Sequence, residues 1–263
     1  MDFPDTTAGE VTLHIEAGAA SVLFNRPQAR NAMTWAMYEQ LASIGQRLST
    51  DRSVRVAVFR GAGGQAFVAG TDIEQFTAFK TGEDGIAYER QIEACIELLC
   101  GLPMPTVAVV EGWCVGGGLA IATACDFRMA TPGSKFGVPI AKTLGNCLSI
   151  QNVARLRAAF GAQRVRRMLM LAEFIEVDEA LACGYLHGVA APEHIDAATL
   201  ALTQRLGALA PVTQRVSKAA LERLATHELA ASDDLIRAAY GSDDFHEGVA
   251  AFVSKRNPTW SGQ

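Results

Sequence analysis

Two strand-to-helix turns in this chain are built around glycine, and together they hold the makings of an oxyanion site. The first is GQAFVAGTDIEQF, residues 64–76. An apolar strand runs into Gly70, and a helix is expected to open near Asp72, which suits that end as a cap and as a negative charge. The second is VVEGWCVGGGLAIATACD, residues 109–126, in which a buried strand meets three consecutive glycines and then a helix. Glycine allows a tight turn and close backbone approach. The first N–H groups of a helix have no partner within it. Two such turns aimed at one point would hold two N–H donors on a carbonyl oxygen. They would hold an enolate oxygen better still, at roughly 3 kcal/mol per donor in a transition state. Each turn also reads as structure alone, and the spacing does not say whether they converge. Neither is a GxGxxG turn with its acidic partner, and there is no GxxxxGK[ST] phosphate loop.

A third stretch, FGVPIAKTLGNCLS at residues 136–149, contains no Asp, Glu or His. Cys147 reads either as a thiolate nucleophile or base, or as a buried, inert thiol. Asn146 is a candidate to orient water or a substrate carbonyl. Glu111, after an apolar strand, reads either as an acid of raised pKa or as a surface carboxylate at a turn. Cys114 lies beside the second turn and fills space there. Glu93 and Glu97 share a helical face at i,i+4 spacing, a face that solvent can equally claim. His14, His187, His194, His227 and His246 form no ligand pattern, so no metal is expected.

The elements that must position these residues follow from periodicity. EVTLHIEAG alternates Val11, Leu13 and Ile15 on one face, and AASVLF reads as its partner across a turn at Gly18. TWAMYEQLASIGQRLS spaces Met37, Leu41, Ile44 and Leu48 as one helix face, with Thr34 as cap. VRVAVFRG, TVAVVEG and DFRMAT read as strands. A helix over 84–100 carries Ile92, Ile96 and Leu99. Strand–helix–strand order implies parallel pairing with right-handed crossovers. From about Val153 onward the chain reads as successive helices: ARLRAAFG, AQRVRRMLML, EVDEALACGYL, then, after Pro192, three longer segments. The expected organisation is an α/β core over residues 1–190, holding the site, and a helical region over 191–263.

With 263 residues and 49% apolar content the chain can bury a large core. Its formal charge of −5 argues against nucleic acid as a general partner. Glu111 and the glycines interrupt the most apolar stretch, so no membrane span is expected. The six cysteines form no CxxC pair and read as small buried hydrophobes of a reducing compartment, the cytoplasm.

Four stretches, NRPQARNAM (25–33), AFVAGTDI (66–73), EGWCVGGGLAIATACDFRMA (111–130) and FGVP (136–139), give the chain its likeness. With the tail FVSKRNPTWSG, it resembles the crotonase superfamily, the enoyl-CoA hydratase/isomerase family, over nearly its whole length. The resemblance implies a crotonase-like (ClpP/crotonase) α/β fold of repeated ββα units with a helical C-terminal trimerisation region, in homotrimers or hexamers of two trimers. It implies acyl-CoA substrates, with coenzyme A as thioester carrier and no tightly bound cofactor. Thr71 and Gly117 match the backbone oxyanion donors. Arg26, Arg30, Lys255 and Arg256 become candidates for the CoA phosphates, and Ala66, Ala69, Gly70, Asp72, Ile73 and Gly116 for the rest of the CoA site. Phe76, Phe79, Ile86, Tyr88 and Ile92 become candidates for the acyl pocket, or are core. Two glutamates carry hydration in the family; the matching positions here are Ala120 and Ile140. The resemblance therefore implies hydration of a 2-enoyl-CoA nominally. Double-bond isomerisation, Cys147-dependent chemistry and acyl-CoA binding without turnover are its alternatives.

Overall fold

The structure is a computed structural model and describes residues 9–73, 76, 81–225, 243, 244, 247, 251, 254, 256 and 258–263. Alternation in the first strand sets the edge of the fold. β1 (Glu10–Glu16) buries Val11 and turns its charged residues out. β2 (Ala19–Asn25) pairs with it antiparallel across Gly18, whose φ of +79° suits a residue without Cβ. α1 (Trp35–Thr50) follows; Thr34 caps it by accepting from Met37 N, and Met37, Tyr38, Leu41 and Leu48 face inward.

Three units then repeat one form. They are β3 (Val56–Gly61), β4 (Ala66–Ala69) and α2 (Gly82–Cys100); β5 (Thr106–Val110), β6 (Trp113–Val115) and α3 (Gly117–Ala124); β7 (Phe127–Ala130), β8 (Lys135–Gly137) and α4 (Ile150–Phe160). The first strand of each unit joins one sheet and the second joins another. The chain closes with α5 (Ala162–Met170), β9 (Ile175–Glu176), α6 (Val177–Ala182), β10 (Gly188–Val189), α7 (Ile195–Gly207) and α8 (Pro211–Ala225). The larger sheet has the order β1-β2-β3-β5-β7-β10 and is parallel beyond β2; the smaller has the order β4-β6-β8-β9. This is the repeated ββα architecture. Strands such as TVAVV are buried on both faces, as parallel strands covered on both sides must be. One apolar cluster lies between the sheets and α1–α4. A second joins Val56, Val107, Val109 and Met129 to Ile195, Leu202 and Leu206 of α7.

Two readings of the sequence change here. The continuous strand expected before the glycine triplet is broken at Gly112. There φ is +70°, and a Cβ would lie 2.0 Å from the Gln65 carbonyl oxygen, so β5 and β6 part into different sheets. The helix expected to open near Asp72 falls largely outside the described residues. The described helix α2 starts at Gly82, under a capping box of Thr81 and Asp84.

Candidate functional site

The two glycine turns meet because their strands are neighbours. β4 and β6 run parallel with Ala69 opposite Val115, and β8 sets Gly137 opposite Val115. All three strands therefore end along one line. A Cβ on Gly116 would stand 3.6 Å from Gly70 Cα, and Gly116 N donates to Gly137 O at 3.0 Å. Gly70 and Gly116 have φ of +99° and +54°, which a side chain would strain. Gly70 O accepts from Met33 N at 2.9 Å. In a planar trans peptide the Thr71 N–H points the opposite way, out of that pairing. Gly116 O accepts from Ala120 N at 3.1 Å, into the helix, so the Gly117 N–H points out of the α3 N-terminus. Thr71 and Gly117 are adjacent: Thr71 Oγ1 lies 3.4 Å from where a Gly117 Cβ would sit.

Three hydroxyls close one side of this gap. Thr71 Oγ1 is 2.9 Å from Tyr38 Oη and 3.0 Å from Tyr88 Oη. Trp35 and Phe76 pack edge-on against Tyr88, with ring centroids 5.4 and 4.9 Å away. Burial raises the Tyr38 phenol well above its ordinary pKa and pushes Tyr88 up to about 12, so both carry their protons at neutral pH. In the sequence Tyr38 is one more member of an amphipathic helix face, and nothing there sets it apart from core.

Two carboxylates of α2 reach the start of α4. Ser149 caps α4, its Oγ accepting from Asn152 N. Two glutamates one helical turn apart converge on it: Glu89 accepts from Ser149 N at 2.7 Å, and Glu93 accepts from Ser149 Oγ at 2.7 Å. Glu93 also pairs with the buried Arg155, which reaches Glu222 at 2.7 Å. Burial raises the Glu89 carboxyl above the ordinary range. The Ser149 N–H opposes this and the nearby Glu93 charge adds to it. Glu93 is therefore a buried, paired residue, although its spacing also suited solvent. Glu89 had no motif to single it out. Ala120 is buried in α3, and Ile140 is half-buried in a 3-10 turn after Pro139.

The remaining candidates scatter. Arg26 binds Asp72 at 2.7 Å, and its Nη1 donates to Ala32 O. Arg30 is exposed, in a left-handed conformation at the end of a short 3-10 turn. Ala66 is buried, Ala69 half-buried, and Ile73 is 56% exposed. Arg256 is held by Glu247 in a two-pronged pair; Lys255, Phe79, His227 and His246 lie outside the described residues. Ile92 is buried and Ile86 exposed. Glu111 bonds Arg60 at 2.6 Å at the start of β6, while the glycine triplet lies beyond that strand's other end. Arg60 also reaches Asp196, so Glu111 belongs to an ion-pair link with α7.

Cys147 and Asn146 are exposed, as is every residue of 141–147, so the expectation of a buried thiol at 147 is corrected. The loop leaves the core at Ile140 and returns only at Leu148. Cys183 is half-buried, and the other four cysteines are buried. Among the described residues no His, Cys, Asp and Glu group could hold a metal ion, and no helix is long and apolar enough to cross a membrane. A cavity of about 660 Å³ lies at the opposite end of α3, between Thr123, Asp126, Arg155, Lys218 and Leu221. It is separate from the glycine turns.

Comparison with known proteins gives a consistent set of likenesses. Residues 14–263 match the family model described as enoyl-CoA hydratase/isomerase. The chain is 32% identical over 254 residues to the mitochondrial enoyl-CoA hydratase domain-containing protein 2 of Bos taurus, covering 94% of this chain and 85% of that protein. It is 29% identical to the short-chain-enoyl-CoA hydratase of Clostridium acetobutylicum, covering 94% and 95%. A crystal structure of an enoyl-CoA hydratase/carnithine racemase from Magnetospirillum magneticum superposes with a TM-score of 0.88 at 32% identity, covering 96% of each chain.

Proposed function

The chain belongs to the enoyl-CoA hydratase/isomerase family, and from that premise we propose that it processes acyl-CoA thioesters through an enolate held by the Thr71 and Gly117 N–H groups. One observation carries this reading: the two glycine turns, distant in sequence, stand side by side with both N–H groups directed out of their own pairings. A thioester oxygen set between them gains most when charge develops on it, which lowers the barrier to forming the enolate. The nominal reaction is hydration of a 2-enoyl-CoA to a 3-hydroxyacyl-CoA.

Double-bond isomerisation is the second reading. It is favoured by Ala120 and Ile140, whose side chains can neither activate water nor deliver a proton. Isomerisation needs one group to take a proton from C2 and return it to C4. Cys147-dependent chemistry draws no support from the contacts of this thiol, which has no hydrogen-bond or charged partner among the described residues. Exposed Leu200 of α7 and Leu221 and Leu224 of α8 support assembly into homotrimers or paired trimers. Six free cysteines support a reducing, cytoplasmic setting. The deciding experiment incubates the protein with crotonyl-CoA in ¹⁸O-labelled water. Label at C3 is expected from a hydratase. No label, with crotonyl-CoA bound in the same sample, removes hydration of that substrate and leaves isomerisation, a different acyl group, or binding without turnover.

A further inference from the structure

We propose that Glu89 is the catalytic acid–base group of this site, taking the proton from C2 of the bound acyl-CoA and giving it back. The inference rests on the acyl-CoA reading above and names the residue that does its proton transfer.

The position comes first. Tyr88 and Glu89 are consecutive in α2, so their Cα atoms stand about 3.8 Å apart. Tyr88 reaches the first glycine turn, with its hydroxyl 3.0 Å from Thr71 Oγ1. Glu89 reaches the loop that follows β8, accepting from Ser149 N at 2.7 Å. That loop starts beside the second glycine turn, where Gly137 O accepts from Gly116 N. Adjacent side chains of one helix thus touch the first glycine turn and the end of the loop that leads away from the second. The charge of Glu89 also acts on both Tyr38 and Tyr88, raising their pKa values.

The chemistry comes second. Glu89 and Glu93 bind opposite ends of one serine but have different surroundings. Glu93 is paired with the buried Arg155 guanidinium. Glu89 is half-buried, and among the described residues no Lys or Arg pairs with it. Its burial and the Glu93 charge both favour the protonated form. Two carboxylates whose environments differ in this way take different roles: one is tied up in an ion pair, the other is available to move a proton. In the forward step the C2–H bond breaks, its proton goes to Glu89, and the electron pair passes to the thioester oxygen. In the return step the Glu89 O–H bond breaks and a C–H bond forms, at C2 for simple exchange or at C4 for isomerisation. No other reactant is needed.

The test uses the full chain with 3-hexenoyl-CoA in deuterated water. Deuterium at C2 is followed by mass spectrometry, and hexanoyl-CoA binding is measured alongside. E89Q keeps an oxygen for the Ser149 N–H but cannot take a proton. It is expected to lose exchange by about 10²- to 10⁴-fold with binding within threefold. E89A should lose as much, while E89D should keep a measurable fraction; three variants keep the test independent of the folding of any one. E89Q or E89A exchanging within threefold of wild type overturns the role of Glu89 and leaves the acyl-CoA reading standing. A wild-type protein that binds hexanoyl-CoA but exchanges nothing overturns both.

Discussion

A methyl group at position 117 would lie 2.3 Å from Tyr38 Oη and 3.4 Å from Thr71 Oγ1. The middle glycine of the triplet is thus required by a side chain of the site, not by its own φ. G117A leaves the 117 N–H in place but pushes against the hydroxyl cluster. It is expected to lower turnover by about 10²-fold, a loss of the size seen when one oxyanion donor is misplaced. Removing the opposing hydroxyl should make room, so the double variant Y38F/G117A is expected to recover much of that loss. Steady-state kinetics on whichever acyl-CoA the wild type turns over will decide it. A double variant no better than G117A would mean that the clash is not with Tyr38. At this scale the sequence located the glycines but not their partners. Gly70 and Gly116–118 stand out in a linear string because glycine clusters are unusual in buried elements. Tyr38 and Glu89 sit 33 and 18 residues from Thr71 in sequence on ordinary helices, and only the packing of α1 and α2 gives them meaning.

The third glycine works between elements. A Cβ on Gly118 would lie 2.1 Å from the Val68 carbonyl oxygen, so α3 packs on β4 backbone to backbone. Neither backbone can rotate away as a side chain can. G118A is expected to destabilise by about 1–3 kcal/mol, lowering Tm by roughly 2–4 °C for each of those kcal/mol. Gly85 gives the opposite sign: it lies inside α2 and a Cβ there meets nothing within 4 Å. G85A should raise stability by about 0.5–1 kcal/mol through chain entropy alone. Thermal unfolding of the two variants together checks both directions, and equal shifts would refute the packing account. The long elements were legible for the usual reason: β1, α1 and α2 carry enough residues to display a period. β6 and β8 have three residues each, WCV and KFG, too few for alternation to be read. Those short strands form the middle of the second sheet and align the two turns. The convergence of the site was therefore hidden in the elements least visible in the sequence.

At the scale of the molecule, buried phenols tie distant parts of the fold to its protonation state. Tyr38 joins α1 to the first turn and α2 through Thr71. Tyr185, beyond α6, stacks on Phe160 of α4 at 3.9 Å and shares a hydrogen bond of 3.2 Å with Thr123 of α3. Burial raises the pKa of Tyr38, of Tyr185 and, to about 12, of Tyr88. The unfolded chain releases these protons near pH 10, whereas the folded chain holds them. The stabilisation is thus whole below about pH 10 and is lost as pH rises through the folded-state values, because the unfolded state then binds fewer protons. Alkaline titration should therefore show tyrosinate absorbance and loss of far-UV circular dichroism rising together. The chain has four tyrosines, and Tyr240 lies outside the described residues. Three or more of the four phenols ionising near pH 10 with the dichroism intact would mean that the hydroxyl cluster at Thr71 is open to solvent. The oxyanion gap would then lack the dry, protonated wall on which its hydrogen bonding depends.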